Sequence, residues 1–261
     1  MSNLYITGKN MEEFGNYLLE TDGFLGQGAF GLVERVKVYN KSKTHCTLFA
    51  KKSFKPEPNF DSELIGELKQ RFKREIKSQS LCKHNNVVPI YLHNLSIEEP
   101  WFVMELADIS LQEELEQNAL NKKQKLSALL MILEGIKYIH NKGLIHRDIK
   151  PLNMLKFTDG SYKISDFGLV KNLEQDSLLK TQFGTVMGTS KYLAPEISNG
   201  STEYTILSDI YAIGVVIDDL NLGNEVNFII DKCMHRRPNA RYKNVQEIIN
   251  DLNSLPGENN D

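Results

Sequence analysis

His146-Arg147-Asp148-Ile149-Lys150-Pro151-Leu152-Asn153, followed thirteen residues past Asn153 by Asp166-Phe167-Gly168, is the stretch whose reading decides the fold. Within six positions, Asp148, Lys150 and Asn153 offer a base, a cation and a neutral oxygen ligand, on a segment that Pro151 keeps from being regular helix. That combination has a chemical logic. A carboxylate accepts a hydroxyl proton, a lysine offsets charge on a transferred phosphoryl group, and an amide oxygen binds a hard cation such as Mg²⁺. Asp166 supplies the stronger metal ligand.

Toward the N-terminus, Leu25-Gly26-Gln27-Gly28-Ala29-Phe30-Gly31-Leu32-Val33 places three glycines inside a strand-turn-strand pattern. Missing side chains there let backbone N–H groups approach anionic oxygens. The same glycine spacing occurs in dinucleotide folds, where a helix must follow; here a strand pattern follows. Further on, Phe49-Ala50-Lys51-Lys52 ends a strand, and a lysine there could neutralise phosphate charge if a carboxylate held it. The candidate carboxylate is Glu75, in the helical stretch Glu63 to Leu81. Strand alternation points only one of the two adjacent lysines inward, and counting from Ala50 selects Lys52.

The wider pattern agrees with two parts. The first hundred residues read as strands around one helix, with strand patterns over Phe24 to Val33, Leu32 to Val38 and Cys46 to Lys52. From Ser110 onward the period turns helical, most clearly over Leu126 to Asn141, interrupted by strand-like Met154 to Phe157 and Tyr162 to Ile164. The composition is ordinary for a globular protein, and a net charge of -3 over 261 residues argues against a general nucleic-acid or membrane-surface binder. Three scattered cysteines, Cys46, Cys82 and Cys233, fit reduced thiols better than disulfides or zinc. No run approaches the length of a membrane span. The reading is a cytoplasmic protein, with delivery into a host cell as the variant should it be a microbial effector.

Taken together and in order, these segments resemble the signature set of eukaryotic-type serine/threonine protein kinases, from Leu25 to Arg241. The resemblance implies an α+β bilobal fold, with a small antiparallel sheet and one main helix in the N-lobe and a larger helical C-lobe. It places one catalytic domain over residues 1–255 (N-lobe about 12–104, hinge about 105–109, C-lobe about 110–255) and a polar tail over 256–261. It implies ATP and Mg²⁺ as cofactors, with Mn²⁺ a possible substitute. Gly26, Gly28 and Gly31 would cover the phosphates, and Lys52, held by Glu75, would contact the α- and β-phosphates. Asp148 would be the base and Lys150 would touch the γ-phosphate, while Asn153 and Asp166 would hold the metal. Adenine would lie between Leu25, Val33 and Ala50 on one side and Leu155 on the other. Met104 would be the gatekeeper, and Glu105 C=O and Ala107 N–H would bind the adenine edge.

Gly188-Thr189-Ser190-Lys191-Tyr192-Leu193-Ala194-Pro195-Glu196 resembles the peptide-positioning loop of protein kinases, and Lys150 with Thr189 is the serine/threonine pattern. Protein hydroxyls are therefore the expected substrate, and an activating partner is a further possibility. Glu196 is expected to pair with Arg241, and Asp209 to brace the catalytic loop. Thr185 is the expected phosphorylation site, with Arg147 as its cationic partner and autophosphorylation as a route to it. The rival readings are a pseudokinase or nucleotide-binding scaffold and a small-molecule kinase; retention of Lys52, Asp148, Asn153 and Asp166 weighs against the scaffold.

Two departures from the family stand out. Only 32 positions separate Asp209 from Arg241, far fewer than the family usually spends, so the helix after the long buried C-lobe helix is expected to be missing. Apolar groups beneath it would then be exposed unless a partner or a repacked segment covers them. Gln79 stands where relatives carry an apolar residue in a column with Ile90, His146 and Phe167.

Overall fold

The computed structural model describes residues 11–28, 31–56, 61–166, 189–201 and 203–255, with the side chains of Glu75, Thr189 and Ser190 outside that description. The chain divides into two units, Met1–Leu81 with Pro89–Leu106 and Cys82–Val88 with Ala107–Asp261.

In the first unit, β1 (Met11–Phe14), β2 (Tyr17–Gly28), β3 (Gly31–Asn40), β4 (Cys46–Phe54), α1 (Ser62–Ser80), β5 (Ile90–Asn94) and β6 (Trp101–Glu105) follow in order. The strands form one antiparallel sheet, ordered β1-β2-β3-β4-β6-β5. Period-two alternation gives the sheet two different faces. One carries the buried cluster Leu19, Val36, Val38, Trp101 and Val103. The other carries Ala50, Phe54 and Phe102, and Phe72 of α1 packs on it at ring-centroid distances of 5.6 Å to Phe54 and 5.8 Å to Phe102. Helix α1 starts where the Asp61 carboxylate accepts the Leu64 N–H at 2.8 Å. Its buried stripe, Leu68, Phe72, Ile76 and Gln79, has helical spacing.

This sheet is curled. In a flat sheet, with strands about 4.8 Å apart, β1 and β6 would be separated by roughly 19 Å. Instead the Trp101 indole N–H donates to Glu12 Oε1 at 2.7 Å, and Phe14 meets Trp101 edge-on at 5.0 Å. The four-residue β1, with two glutamates, lies N-terminal to any strand the sequence pattern marked.

The second unit contains β7 (Ile109–Ser110), α2 (Leu111–Glu116), α3 (Lys122–Asn141), β8 (Met154–Lys156), β9 (Tyr162–Ile164), α4 (Pro195–Ser198), α5 (Ile206–Leu220), α6 (Asn227–Cys233) and α7 (Val245–Asn253). Strands β7, β8 and β9 form a small antiparallel sheet. Helix α3 begins four residues before its apolar periodicity, because Asn121 and Gln124 form a capping box. The core joins Ile132, Ile136 and Ile139 of α3 to Ile213 and Ile217 of α5 and Ile248 of α7. Residues 82–88 belong to this unit: Asn86 Nδ2 donates to Tyr162 O at 2.9 Å, and Asn86 O accepts from Ile164 N at 3.0 Å.

Between α5 and α6 the chain turns at Asn221 (φ 49°) and Gly223 (φ 105°), then makes a single 3₁₀ turn over Asn224–Val226. Leu222 and Val226 are buried in the same core cluster as Leu220 of α5, and Glu225 pairs with Lys122 at the start of α3. Phe228 of α6 stays 51% exposed.

Candidate active site

The loop between α3 and β8 is held from the first turn of α5. Asp209 is buried, and its two carboxylate oxygens accept the backbone N–H groups of His146 at 2.7 Å and Arg147 at 2.8 Å. His140 Nε2 makes a third hydrogen bond to it, at 2.8 Å. Burial alone would raise the Asp209 carboxyl; the bond to His140, the nearby His146 and the Arg147 amide outweigh that and hold it below its ordinary 3.8. A charged, thrice-bonded carboxylate therefore fixes the backbone immediately before Asp148. His146 is wholly buried, its ring nitrogen against Ser165 O at 3.0 Å, and burial pushes its pKa down.

On this support the sequence-selected side chains converge. Lys150 Nζ lies 2.9 Å from Asp148 Oδ2, and Asn153 Nδ2 donates to the same oxygen at 3.0 Å and to Asp148 O at 2.8 Å. Pro151 starts a 3₁₀ turn over Pro151–Asn153 that brings Asn153 back toward Asp148. Ser165 N and Oγ both donate to Asn153 O, at 2.9 and 3.1 Å, which places Asp166 beside Asn153. Arg147 and Asp166 both adopt left-handed backbone, at φ 70° and 55°. For non-glycine residues such strain needs a surrounding that enforces it. Among the described residues no group of three or more His, Cys, Asp or Glu is placed to hold a metal.

In the first unit the glycine-rich segment is a hairpin, with Gly26 opposite Val33, Gln27 opposite Leu32 and Gly28 opposite Gly31. A strand follows it and not a helix. A Cβ added at Gly26 or Gly28 would meet nothing within 4 Å, so packing within the chain does not require glycine at either. What the absent side chains leave is room above the backbone. At Gly31 the added atom would lie 3.3 Å from Ser53 O and 3.5 Å from Lys52 Cε, so the Lys52 stem runs under this glycine. Lys52 is buried and lies opposite Val33 and Phe102, on the α1 face. Lys51 is on the other face, paired with Glu12 and 4.8 Å above the Trp101 ring. Glu75 occupies α1 three residues after Phe72.

Ala50 and Met104 are directly paired across β4 and β6, and both are buried. Glu105 ends β6, and Leu25, 46% exposed, lies in β2. In the second unit Ala107 precedes β7, and Leu155 sits in β8 opposite Ser110. Thr185 lies outside the described residues. Thr189 opens a 3₁₀ turn over Thr189–Tyr192, and the Arg147 guanidinium lies 5.8 Å from the Tyr204 ring centroid.

The segment 189–196 is tied to both ends of α5. Glu196 makes a two-pronged pair with Arg241, at 2.8 and 2.7 Å, and accepts from Ser208 at 3.4 Å. Burial works against the charged Glu196, yet the Arg241 guanidinium holds its carboxyl below the ordinary value. At the other end Tyr192 OH donates to Asp219 Oδ2 at 2.6 Å, and Lys191 pairs with Oδ1. The sequence reading missed His140 and Asp219. The acid-binding partner of a buried carboxylate is a long-range contact with no local pattern.

The sequence model of the family described as protein kinase domain matches residues 19–250. A protein of Lactococcus lactis named "Probable serine/threonine-protein kinase PknB" is 37% identical over 194 residues, 74% of this chain and 30% of that protein. The serine/threonine-protein kinase PrkC of Bacillus subtilis is 35% identical over 166 residues, 63% of this chain and 25% of that protein. The mitogen-activated protein kinase kinase kinase 1b of Physcomitrium patens is 31% identical over 204 residues, 77% and 25%. The chain thus spans between a quarter and a third of the length of these relatives.

Proposed function

Because the chain belongs to the protein kinase domain family and is homologous to serine/threonine protein kinases, we propose that it transfers the γ-phosphate of ATP to Ser and Thr hydroxyls of protein substrates. The observation that carries the proposal is the Asp148, Lys150 and Asn153 cluster held on a buried Asp209. Asp148 accepts the substrate hydroxyl proton, and its orientation is fixed by Lys150 and Asn153. Lys150 then neutralises charge developing on the phosphoryl oxygens.

The donor set fits Mg²⁺. Asn153 spends its amide nitrogen on Asp148, which leaves an amide oxygen as the cation's ligand beside the Asp166 carboxylate. Two protein oxygens suit an ion that takes its remaining ligands from phosphate and water. When bound, Mg²⁺ supplies charge neutralisation on the phosphates; Mn²⁺ has the same ligand preferences. The open backbone at Gly26 and Gly28, with Gly31 over Lys52, fits a phosphate chain, and Lys52 is its cation, with Glu75 as the carboxylate that holds it. Leu25, Val33, Ala50, Met104 and Leu155 form the apolar adenine contacts, with Glu105 C=O and Ala107 N–H as polar ones.

The catalytic domain covers residues 1–255, with the hinge at about 105–109, and the segment 221–226 replaces a helix that relatives carry. Thr185 is the activating phosphorylation site, with Arg147 as the cation that would pair with its phosphate, and Thr189 belongs to the substrate loop. An activating partner and the protein substrates are recognised without the surface of the replaced helix. Among the described residues no helix is long and apolar enough to cross a membrane.

The test is labelling of a protein pool with radioactive ATP and Mg²⁺. Transfer to Ser and Thr, lost in Asp148→Asn with ATP still bound, supports the reading. A chain that binds ATP with Mg²⁺ and labels nothing, itself included, is a scaffold instead.

A further inference from the structure

We infer that Glu12, on the short first strand, is a positioning residue that selects which of two adjacent lysines serves as the phosphate cation. The inference rests on the proposed role of Lys52. Lys51 and Lys52 have the same chemistry and adjacent places in β4, and successive side chains of a strand point to opposite faces. A one-residue slip of β4 between β3 and β6 would exchange them, putting Lys51 on the α1 face and Lys52 on the opposite one. Buried Ala50 and Phe54 on the α1 face oppose such a slip, but the two lysine positions themselves carry the same ammonium and add nothing to that preference.

What tells the two lysines apart directly is a receptor for one of them. On the face away from α1, Glu12 Oε2 pairs with Lys51 Nζ, while Glu12 Oε1 accepts the Trp101 indole N–H at 2.7 Å. The Trp101 ring lies under the same ammonium, 4.8 Å from Nζ to its centroid. The Lys51 side chain is only 13% exposed. A partly desolvated ammonium with both a carboxylate and an aromatic face is strongly anchored. Lys51 pairs across the ladder with Glu34 and Val103, so the anchor fixes β4 relative to both neighbours. Lys52 is then the residue opposite Phe102, under Gly31.

The anchor also closes the curled sheet. Glu12 brings β1 across to β4 and β6, beside an open cleft lined by Leu19, Thr21 and Val36. Glu12 touches neither the nucleotide lysine nor any group placed in the chemistry. Its effect on ATP passes through the register and rigidity of β4.

The test compares Glu12→Ala, Glu12→Gln, Glu13→Ala and Lys52→Met for ATP KM and kcat, with Trp101 fluorescence as a second readout. Trp101 is the chain's single tryptophan, so emission and acrylamide quenching report this one contact. Glu12→Ala is expected to raise ATP KM about three- to tenfold with kcat changed less than about twofold, and to make Trp101 more quenchable. Glu12→Gln, which keeps an acceptor for Trp101 and loses the charge facing Lys51, is expected to fall between Ala and wild type. Glu13→Ala, whose partner Lys41 forms an exposed pair, is expected to leave all three quantities unchanged. Should Glu12→Ala fail to fold, Glu12→Gln carries the comparison. Unchanged ATP KM in the Glu12 variants, with Lys52→Met raising it, overturns the inference. An ATP KM indifferent to Lys52→Met overturns the role of Lys52 itself, a different result from the first.

Discussion

Asp148, Lys150 and Asn153 lie within six residues of sequence, and the structure brings Lys150 and Asn153 each to about 3 Å from the Asp148 carboxylate. Their roles predict different losses. Asp148→Asn keeps the size of the side chain and removes the base, so kcat should fall by at least about a hundredfold while ATP affinity is retained. Lys52→Met should weaken ATP binding far more than Lys51→Met, which the anchored position of Lys51 on the opposite face requires; nucleotide titration checks this. Glu196 calls for more care, since a loss of activity there would not make it catalytic. Its removal leaves Arg241, whose side chain is wholly buried, without its counter-charge. Glu196→Ala should lower unfolding stability by about 3 kcal/mol, read from denaturant curves alongside the rate.

Helix α5 is the element from which the site is organised. Its first turn holds the loop before Asp148 through Asp209, and its two ends hold the segment 189–196 through Ser208 and Asp219. The Asp209 and Glu196 carboxyls are depressed below their ordinary 3.8 and 4.5, so the stability they contribute is complete above those values and is lost as pH falls through the folded ones. Melting temperature should therefore drop steeply below about pH 4, and Asp209→Asn should start lower but show a shallower acid limb. A close approach supports α5 from the other side: a Cβ added at Gly214 would meet Cys233 Cβ of α6 at 2.5 Å. Gly214→Ala should cost about 1–3 kcal/mol in thermal or denaturant unfolding. Apolar periodicity made α1 and α3 readable in the sequence, and the glycine pattern with a following strand made the hairpin readable. Helix α3 began earlier than its periodicity, because a polar capping box set its start. Strand β1 stayed invisible, since four residues with two glutamates carry no apolar pattern and are defined by partners on β2, β4 and β6. His140 escaped for the same reason: its meaning comes from Asp209, 69 residues away.

At the scale of the molecule, a strand-rich unit presents the hairpin and Lys52, and a helical unit presents the catalytic loop. The clustering of Asp148, Lys150 and Asn153 was legible because that motif is short and local. The connection between α5 and α6 was legible only as a shortage of residues. The burial of Leu222 and Val226 goes with positive φ at Asn221 and Gly223 and with the pair between Glu225 and Lys122, none of which has a local sequence pattern. Phe228 of α6 is half-exposed. The central claim is catalysis of phosphate transfer to protein hydroxyls. Phosphorylation of a Ser/Thr peptide array with labelled ATP and Mg²⁺, run beside Asp148→Asn, tests it most directly. The account predicts labelled Ser and Thr peptides with wild type and blank spots with the variant; equal labelling by both, or none by wild type, would contradict it.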